Sequence, residues 1–201
     1  GDRARIAEMP RSYLGPIIKV HQGEKIRIRF NNAIPEESIV HWHGLHVPAI
    51  MDGHPRYVVP QGQSYLYEFE VKNRAGTYWY HPHPHGRTGP QVYRGLAGLF
   101  LVSDAEEQAV GLPEGEYDVP LVIQDRTFDP ENQLVYMSGH RMEQMTGFLG
   151  DLIMVNGMPD FTLPVSTSAY RLRLLNGSNS RNYKLAWEDG RPLTILSLIH
   201  I

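Results

Sequence analysis

Six of the chain's ten histidines fall in two short stretches, HWHGLHVP at 41–48 and WYHPHPHG at 79–86. Alternate residues within them are histidine: His41 and His43 in the first, His81, His83 and His85 in the second. Neutral imidazole suits copper, zinc, nickel or iron, and with no thiolate or carboxylate beside the pairs the Irving–Williams order favours copper. Two rival His-x-His chemistries fail on these residues. A binuclear zinc hydrolase of the His-x-His-x-Asp-His type needs an acid where Leu45 stands. An amidohydrolase places its pair on a parallel barrel, whose alternating helices have no counterpart in this sequence. His46 has the opposite parity to His41 and His43 and is read as packing or as a support for the ligands, whereas His85 suits a hydrogen-bonding role outside the ligand set. His21, His54, His140 and His200 stand alone and are read as solvated or satisfied side chains. Met137, Met142 and Met145 are soft enough for Cu(I), but gap-filling in a core or loop accounts for them more simply.

Strands are the elements that bring such pairs together. Residues i and i+2 of a strand point to one face, with Cα atoms about 6.5–7 Å apart. His41 and His43 then project together while Trp42 faces the other way. His81 and His83 do the same if their stretch is extended, which Pro82 and Pro84 favour by restricting φ and the residue before each. The same prolines bar the stretch from a central ladder position. Two such pairs on neighbouring strands would bring four imidazoles into one small volume.

The rest of the sequence supplies strands in quantity. Ile26, Ile28 and Phe30 alternate with basic residues after a QGE turn, and Tyr65, Tyr67, Phe69 and Val71 alternate with polar partners. AGTYWYH, GLAGLFLVSD, YDVPLVIQDRTF, GDLIMVNG and YRLRLLNGSN are further strand candidates at spacings typical of sandwiches. Only Asp104–Val110 and Gly139–Thr146 read as helical. The polar, Gly- and Pro-bearing stretch 103–118 reads as a linker. The expected class is all-β, with one complete sandwich and the start of a second.

Composition narrows the function. Of 201 residues, 41% are hydrophobic, enough for a core, and the net charge of −3 with interspersed signs does not point to nucleic acid or an anionic membrane as partner. No apolar run approaches the length of a membrane span, and the opening GDRARIAEMP lacks the apolar region of a signal peptide. There is no cysteine, so disulfides, thiolate ligands and cysteine nucleophiles are excluded within these residues.

HWHGLHVP…MDGHP, GTYWYHPHPHG, GLAGLFLV, YDVPLVIQDRTF and YRLRLLNGSNSRNYKLAW together resemble the N-terminal part of bacterial multicopper oxidases, in the branch of copper-efflux oxidases and bilirubin-oxidase or spore-coat-type laccases. The resemblance implies an all-β, cupredoxin-like Greek-key β-sandwich, one complete domain plus part of a second. It also implies half of a trinuclear copper cluster, with His41 on the type 2 copper and His43, His81 and His83 on the type 3 pair. Asp52 matches an acid that helps deliver protons to oxygen in the family, and it equally fits the turn residue of an Asp-Gly turn. Such an enzyme would couple one-electron oxidation of a phenolic, pigment or cuprous substrate to four-electron reduction of dioxygen to water, in the periplasm or outside the cell. Trp42, Trp79 and Tyr80 are expected to pack around the cluster.

Departures from the family pattern shape the remaining expectations. The His-x-x-His-x-His and His-Cys-His motifs are absent, and a type 1 copper site needs the cysteine this sequence lacks. The chain is therefore expected to be an N-terminal fragment, inactive alone, whose cluster is completed and supplied with electrons by a missing third domain. Residues 1–104 are expected to form the first domain, 105–116 a linker and 117–201 an incomplete second domain. Residues 196–201, LSLIHI, fit no family pattern and are read as foreign. The alternative is a non-catalytic copper-binding or scaffold protein of cupredoxin fold.

Overall fold

The computed structural model describes residues 5–7, 12–137 and 141–197. A five-stranded sheet carries the histidine stretches. Its order is β1 (Arg5–Ala7), β2 (Ile17–His21), β7 (Gly98–Ser103), β6 (Gly76–Pro82) and β4 (Val40–His43). Only the β2–β7 pairing is parallel. Facing it is an antiparallel ribbon of β3 (Lys25–Asn31) and β5 (Ser64–Glu70), in the register Ile26↔Phe69 and Ile28↔Tyr67.

Alternation builds the core between these layers. Ile18, Val20, Ile26, Trp42, Tyr67, Phe69, Tyr78, Phe100 and Val102 form one buried cluster. The alternate residues of β3 face outward, where Arg27 pairs with Glu68 at 2.9 Å. That pair is exposed and so adds little stability. Tyr67 is fully buried, and its hydroxyl accepts the Val40 N–H at 2.9 Å, tying the opposite layer to the start of β4.

The prolines of the second histidine stretch have an effect that differs from the sequence expectation. β6 is an interior strand, flanked by β7 and β4. Its pairing with β7 ends at Tyr80, however, and His81 and Pro82 pair with β4 alone. The missing proline N–H is tolerated because it falls where the ladder has already become one-sided.

A helix stands where local signals indicate a loop. α1 (Thr88–Tyr93) follows the second stretch and includes Gly89 and Pro90. Proline is compatible with a first helical turn, whose N–H groups have no intrahelical partner. Tertiary bonds fix the helix in place. Gln91 is fully buried, accepts from Ser38 Oγ at 2.7 Å and donates to the Glu37 carbonyl at 2.9 Å. Glu36 takes Arg87 at 2.7 Å and Arg94 at 3.2 Å.

The stretch read as a linker carries α2 (Ala105–Val110), capped by the Asp104 carboxylate on the Glu107 N–H. Beyond it, β8 (Asp118–Phe128) pairs in parallel with β11 (Arg171–Asn176) and antiparallel with β10 (Leu152–Val155) and the short β9 (Leu134–Val135). α3 (Arg141–Thr146) covers part of the second helical expectation. Asp118 receives Arg171 at 2.6 Å and Arg173 at 2.8 Å, Glu107 receives both arginines, and Arg173 also reaches Thr77 Oγ1 on β6 at 3.0 Å. A second seam centres on Arg126, fully buried with its guanidinium 4.4 Å from the Tyr93 ring centroid. Large apolar side chains on this part are exposed, among them Leu152, Ile153, Leu174 and Trp187. Leu196 is also exposed, and residues 198–201 lie outside the described residues.

Candidate metal centre

Strand register makes the site. His41 and His81 are direct partners across β4 and β6, and His43 is the partner of Trp79. The His83 N–H donates to the Ile39 carbonyl at 3.0 Å, continuing the pairing past Pro82. All four imidazoles therefore emerge on one face. Ring centroids lie 5.3 Å apart for His41–His43, 5.2 Å for His41–His81, 5.4 Å for His41–His83 and 6.0 Å for His81–His83. One ring nitrogen from each of His41, His43 and His81 falls within 4.8 Å of the others.

Hydrogen bonds choose the nitrogens. His81 Nδ1 donates to the Pro82 carbonyl at 2.8 Å, and His41 Nδ1 donates to the Asp52 carbonyl at 2.7 Å with Asp52 Oδ1 at 3.1 Å. A carbonyl can only accept, so each Nδ1 carries a proton, and in the neutral ring Nε2 is the nitrogen that bears the lone pair. His43 Nδ1 sits 3.0 Å from His81 Nε2. Buried His83 Nδ1 has no hydrogen-bond partner among the described residues.

Burial favours the neutral imidazole at His81 and His43. Burial, the nearby His41, His43 and His83 rings adding to it, pushes the His81 pKa down to about 4, against the pull of the Pro82 carbonyl. His43 is lowered by burial first and then by His41 and His83, with Asp52 opposing. Neutral imidazoles with inward lone pairs are the protonation state that a borderline or soft metal ion requires. Their donor chemistry fits copper.

Asp52 reaches the site through a tight turn. Gly53 has φ +72°, and a Cβ there would lie 2.1 Å from the Val40 carbonyl oxygen. Only glycine lets the 51–53 turn lie against β4 closely enough for Asp52 to meet His41. Asn73 holds the other side, accepting the His46 N–H and donating to the Gly44 carbonyl, both at 2.8 Å.

Trp42 lies where strand parity places it, away from the histidines, and the expectation that it and Tyr80 pack around the cluster is corrected. Trp42 and Tyr80 have the opposite parity to the histidines and face the other way. Trp42 packs in the core against Tyr67, Phe69 and Phe100, and the Tyr80 hydroxyl donates to the Pro16 carbonyl. Trp79 does lie at the cluster, stacked on His43 and tilted over His81. His46 lines a cavity with Val47, Pro48, Glu70 and Lys72, and His85 is exposed. His21 contacts Ser103 Oγ, and His54 Nδ1 accepts the Arg56 N–H. His140 and His200 lie outside the described residues, as does the Met142 side chain. Met137 and Met145 are exposed.

Residues 1–107, more than half of the chain, match the family described as "Multicopper oxidase". This chain belongs to the multicopper oxidases. Among multicopper oxidases of known sequence, "Multicopper oxidase mco" of Staphylococcus aureus is 40% identical over 184 residues, covering 92% of this chain and 40% of that protein. "Cell division protein FtsP" of Escherichia coli (strain K12) is 36% identical over 199 residues, covering 98% of this chain and 42% of that protein. Two solved multicopper oxidases share the fold. McoA from the hyperthermophile Aquifex aeolicus superposes with a TM-score of 0.75 at 40% identity, over 89% of this chain and 42% of its own. The laccase-like CueO from the lignin-degrading Ochrobactrum sp. gives 0.83 at 34% identity, over 94% of this chain and 45% of its own. The chain thus spans about two fifths of the length of the relatives it matches. The fold is cupredoxin-like and copper is the metal of the family. No helix among the described residues is long and apolar enough to cross a membrane.

Proposed function

We propose that this chain is the N-terminal part of a multicopper oxidase and supplies half of its trinuclear copper site. The observation that carries the reading is the convergence of His41, His43, His81 and His83 on one face, with the Nδ1 atoms of His41 and His81 held by backbone carbonyls so that their Nε2 atoms face the cluster. His41 would hold the type 2 copper, and His43, His81 and His83 the type 3 pair. The chemistry supplied by copper there is one-electron redox coupled to four-electron reduction of dioxygen to water. The remaining ligands and the cysteine-bearing type 1 site, through which a small reducing substrate or Cu(I) gives its electrons, would come from a third domain outside these residues.

The chain's own groups have defined tasks in this scheme. The Pro82 and Asp52 carbonyls hold the His81 and His41 rings with Nε2 inward. Asp52 Oδ1 lies beside His41 Nδ1, and its side chain is 41% exposed, so it can pass protons between solvent and the cluster. Residues 1–104 form the first domain of this scheme, 105–116 join it to the second, and 117–201 begin that second domain. A periplasmic or extracellular location suits the scheme. The relatives named for cell division rather than oxidation leave a second reading, a non-catalytic copper-binding or scaffold protein, but four converged imidazoles favour the first.

The test measures copper binding and oxygen consumption together. The 201-residue chain should bind Cu(II), His41→Ala and His81→Ala should each weaken that binding by at least about tenfold, and a phenolic substrate should elicit no oxygen consumption. Failure to bind copper would favour the scaffold. Sustained turnover by the chain alone would contradict the half-site.

A further inference from the structure

We infer that Trp79 is a positioning residue for the histidine cluster, its indole fixing the imidazoles of His43 and His81 and thereby setting the metal affinity of that pair. The inference rests on reading these histidines as copper ligands. Trp79 lies two residues before His81 on β6 and directly across from His43 on β4, so both rings fall against its faces. Its ring centroid is 5.1 Å from that of His43 at an interplanar angle of 22°, and 4.3 Å from that of His81 at 35°.

The need for this contact differs between the two histidines. His81 and His41 each have a backbone carbonyl on Nδ1 to set the ring. His43 has none among the described residues. Its side-chain hydrogen-bond contact is with His81 Nε2, an atom that a bound metal would claim. A histidine χ2 torsion is broad and roughly two-fold, so an imidazole without a hydrogen-bonded anchor swings. Ligand geometry, by contrast, must be held to about 0.5 Å and 10–20°. With metal bound, the stacked indole is the contact left to hold the His43 ring.

Neither core packing nor hydrogen bonding accounts for a tryptophan at this position. Trp79 is half-buried and belongs to neither hydrophobic core cluster. Its Nε1 is buried without a hydrogen-bond partner among the described residues. Stacking on the two imidazoles is the contact that uses the indole.

The experiment compares wild type, Trp79→Phe, Trp79→Leu and Trp79→Met in the 201-residue chain. Thermal unfolding identifies which variants fold, and two readouts follow on those. In the metal-free chain, the His43 ring protons carry an aromatic ring-current shift in NMR spectra, retained in the Phe variant and lost in the Leu and Met variants. In Cu(II) titrations, Trp79→Phe stays within about threefold of wild type, and Trp79→Leu or Trp79→Met weakens binding by about tenfold or more, as for other residues that orient metal ligands. Unmoved His43 signals, or wild-type copper affinity in a folded Leu or Met variant, would overturn the inference. Should wild type bind no copper while the His43 signals still respond to position 79, the copper reading falls and the positioning stands.

Discussion

At the scale of single residues, parity does most of the work. His41, His43, His81 and His83 share a face because each pair is spaced by two, and the same rule sends Trp42 and Tyr80 into or toward the core. Gly53 is the residue on which the Asp52 contact turns. In Gly53→Ala a methyl group would collide with the Val40 carbonyl and the backbone would be held at a positive φ, a state costing about 1–3 kcal/mol before any clash. We expect Gly53→Ala to lower stability by at least that much, measured by denaturant unfolding, and to free the Asp52 side chain from His41. Unchanged stability would show that the turn can move off β4. The histidine geometry was legible in the sequence since it depends only on a period of two. The Asp52–His41 contact was not, because Asp-Gly signals a turn without saying which strand the turn will lie against.

At the scale of elements, alternation marked the strands well, and helix α1 shows where local signals stop. Gly89 and Pro90 are poor helix formers, and the residues that hold the helix, Glu36, Glu37 and Ser38, lie some fifty positions earlier. Tertiary bonds overrode local propensity there. The union of α2, β8 and β11 was equally hidden, since nothing local says that Asp118 will meet Arg171 and Arg173. Burial raises the Asp118 pKa, but hydrogen bonds from Arg173 and Arg171 outweigh it, so the folded value lies below the ordinary carboxylate range. The unfolded chain therefore takes up the proton first. This stabilisation is full above the unfolded pKa and is lost as pH falls through the folded one. Asp118→Asn leaves the largely buried Arg171 and Arg173 guanidinium groups with the Glu107 carboxylate and, for Arg173, the Thr77 hydroxyl, and we expect a loss of about 3 kcal/mol near neutral pH. Wild type should then lose thermal stability more steeply than Asp118→Asn as pH falls below about 4, the ordinary carboxylate value. Parallel curves would show that this network contributes nothing to acid sensitivity.

At the scale of the whole molecule, a sandwich displays four histidines on one face, and a second group of strands leaves Leu152, Ile153, Leu174 and Trp187 in contact with solvent. The central claim is that His41, His43, His81 and His83 together hold copper. The direct measurement is pulsed electron paramagnetic resonance of the chain loaded with one equivalent of Cu(II), in wild type and with each of the four histidines changed in turn to glutamine. Nitrogen modulation from more than one imidazole in wild type, diminished by the changes at 41, 43 and 81 and altered by the change at 83, is the result expected. A copper signal indifferent to all four substitutions would place the metal elsewhere and contradict the account.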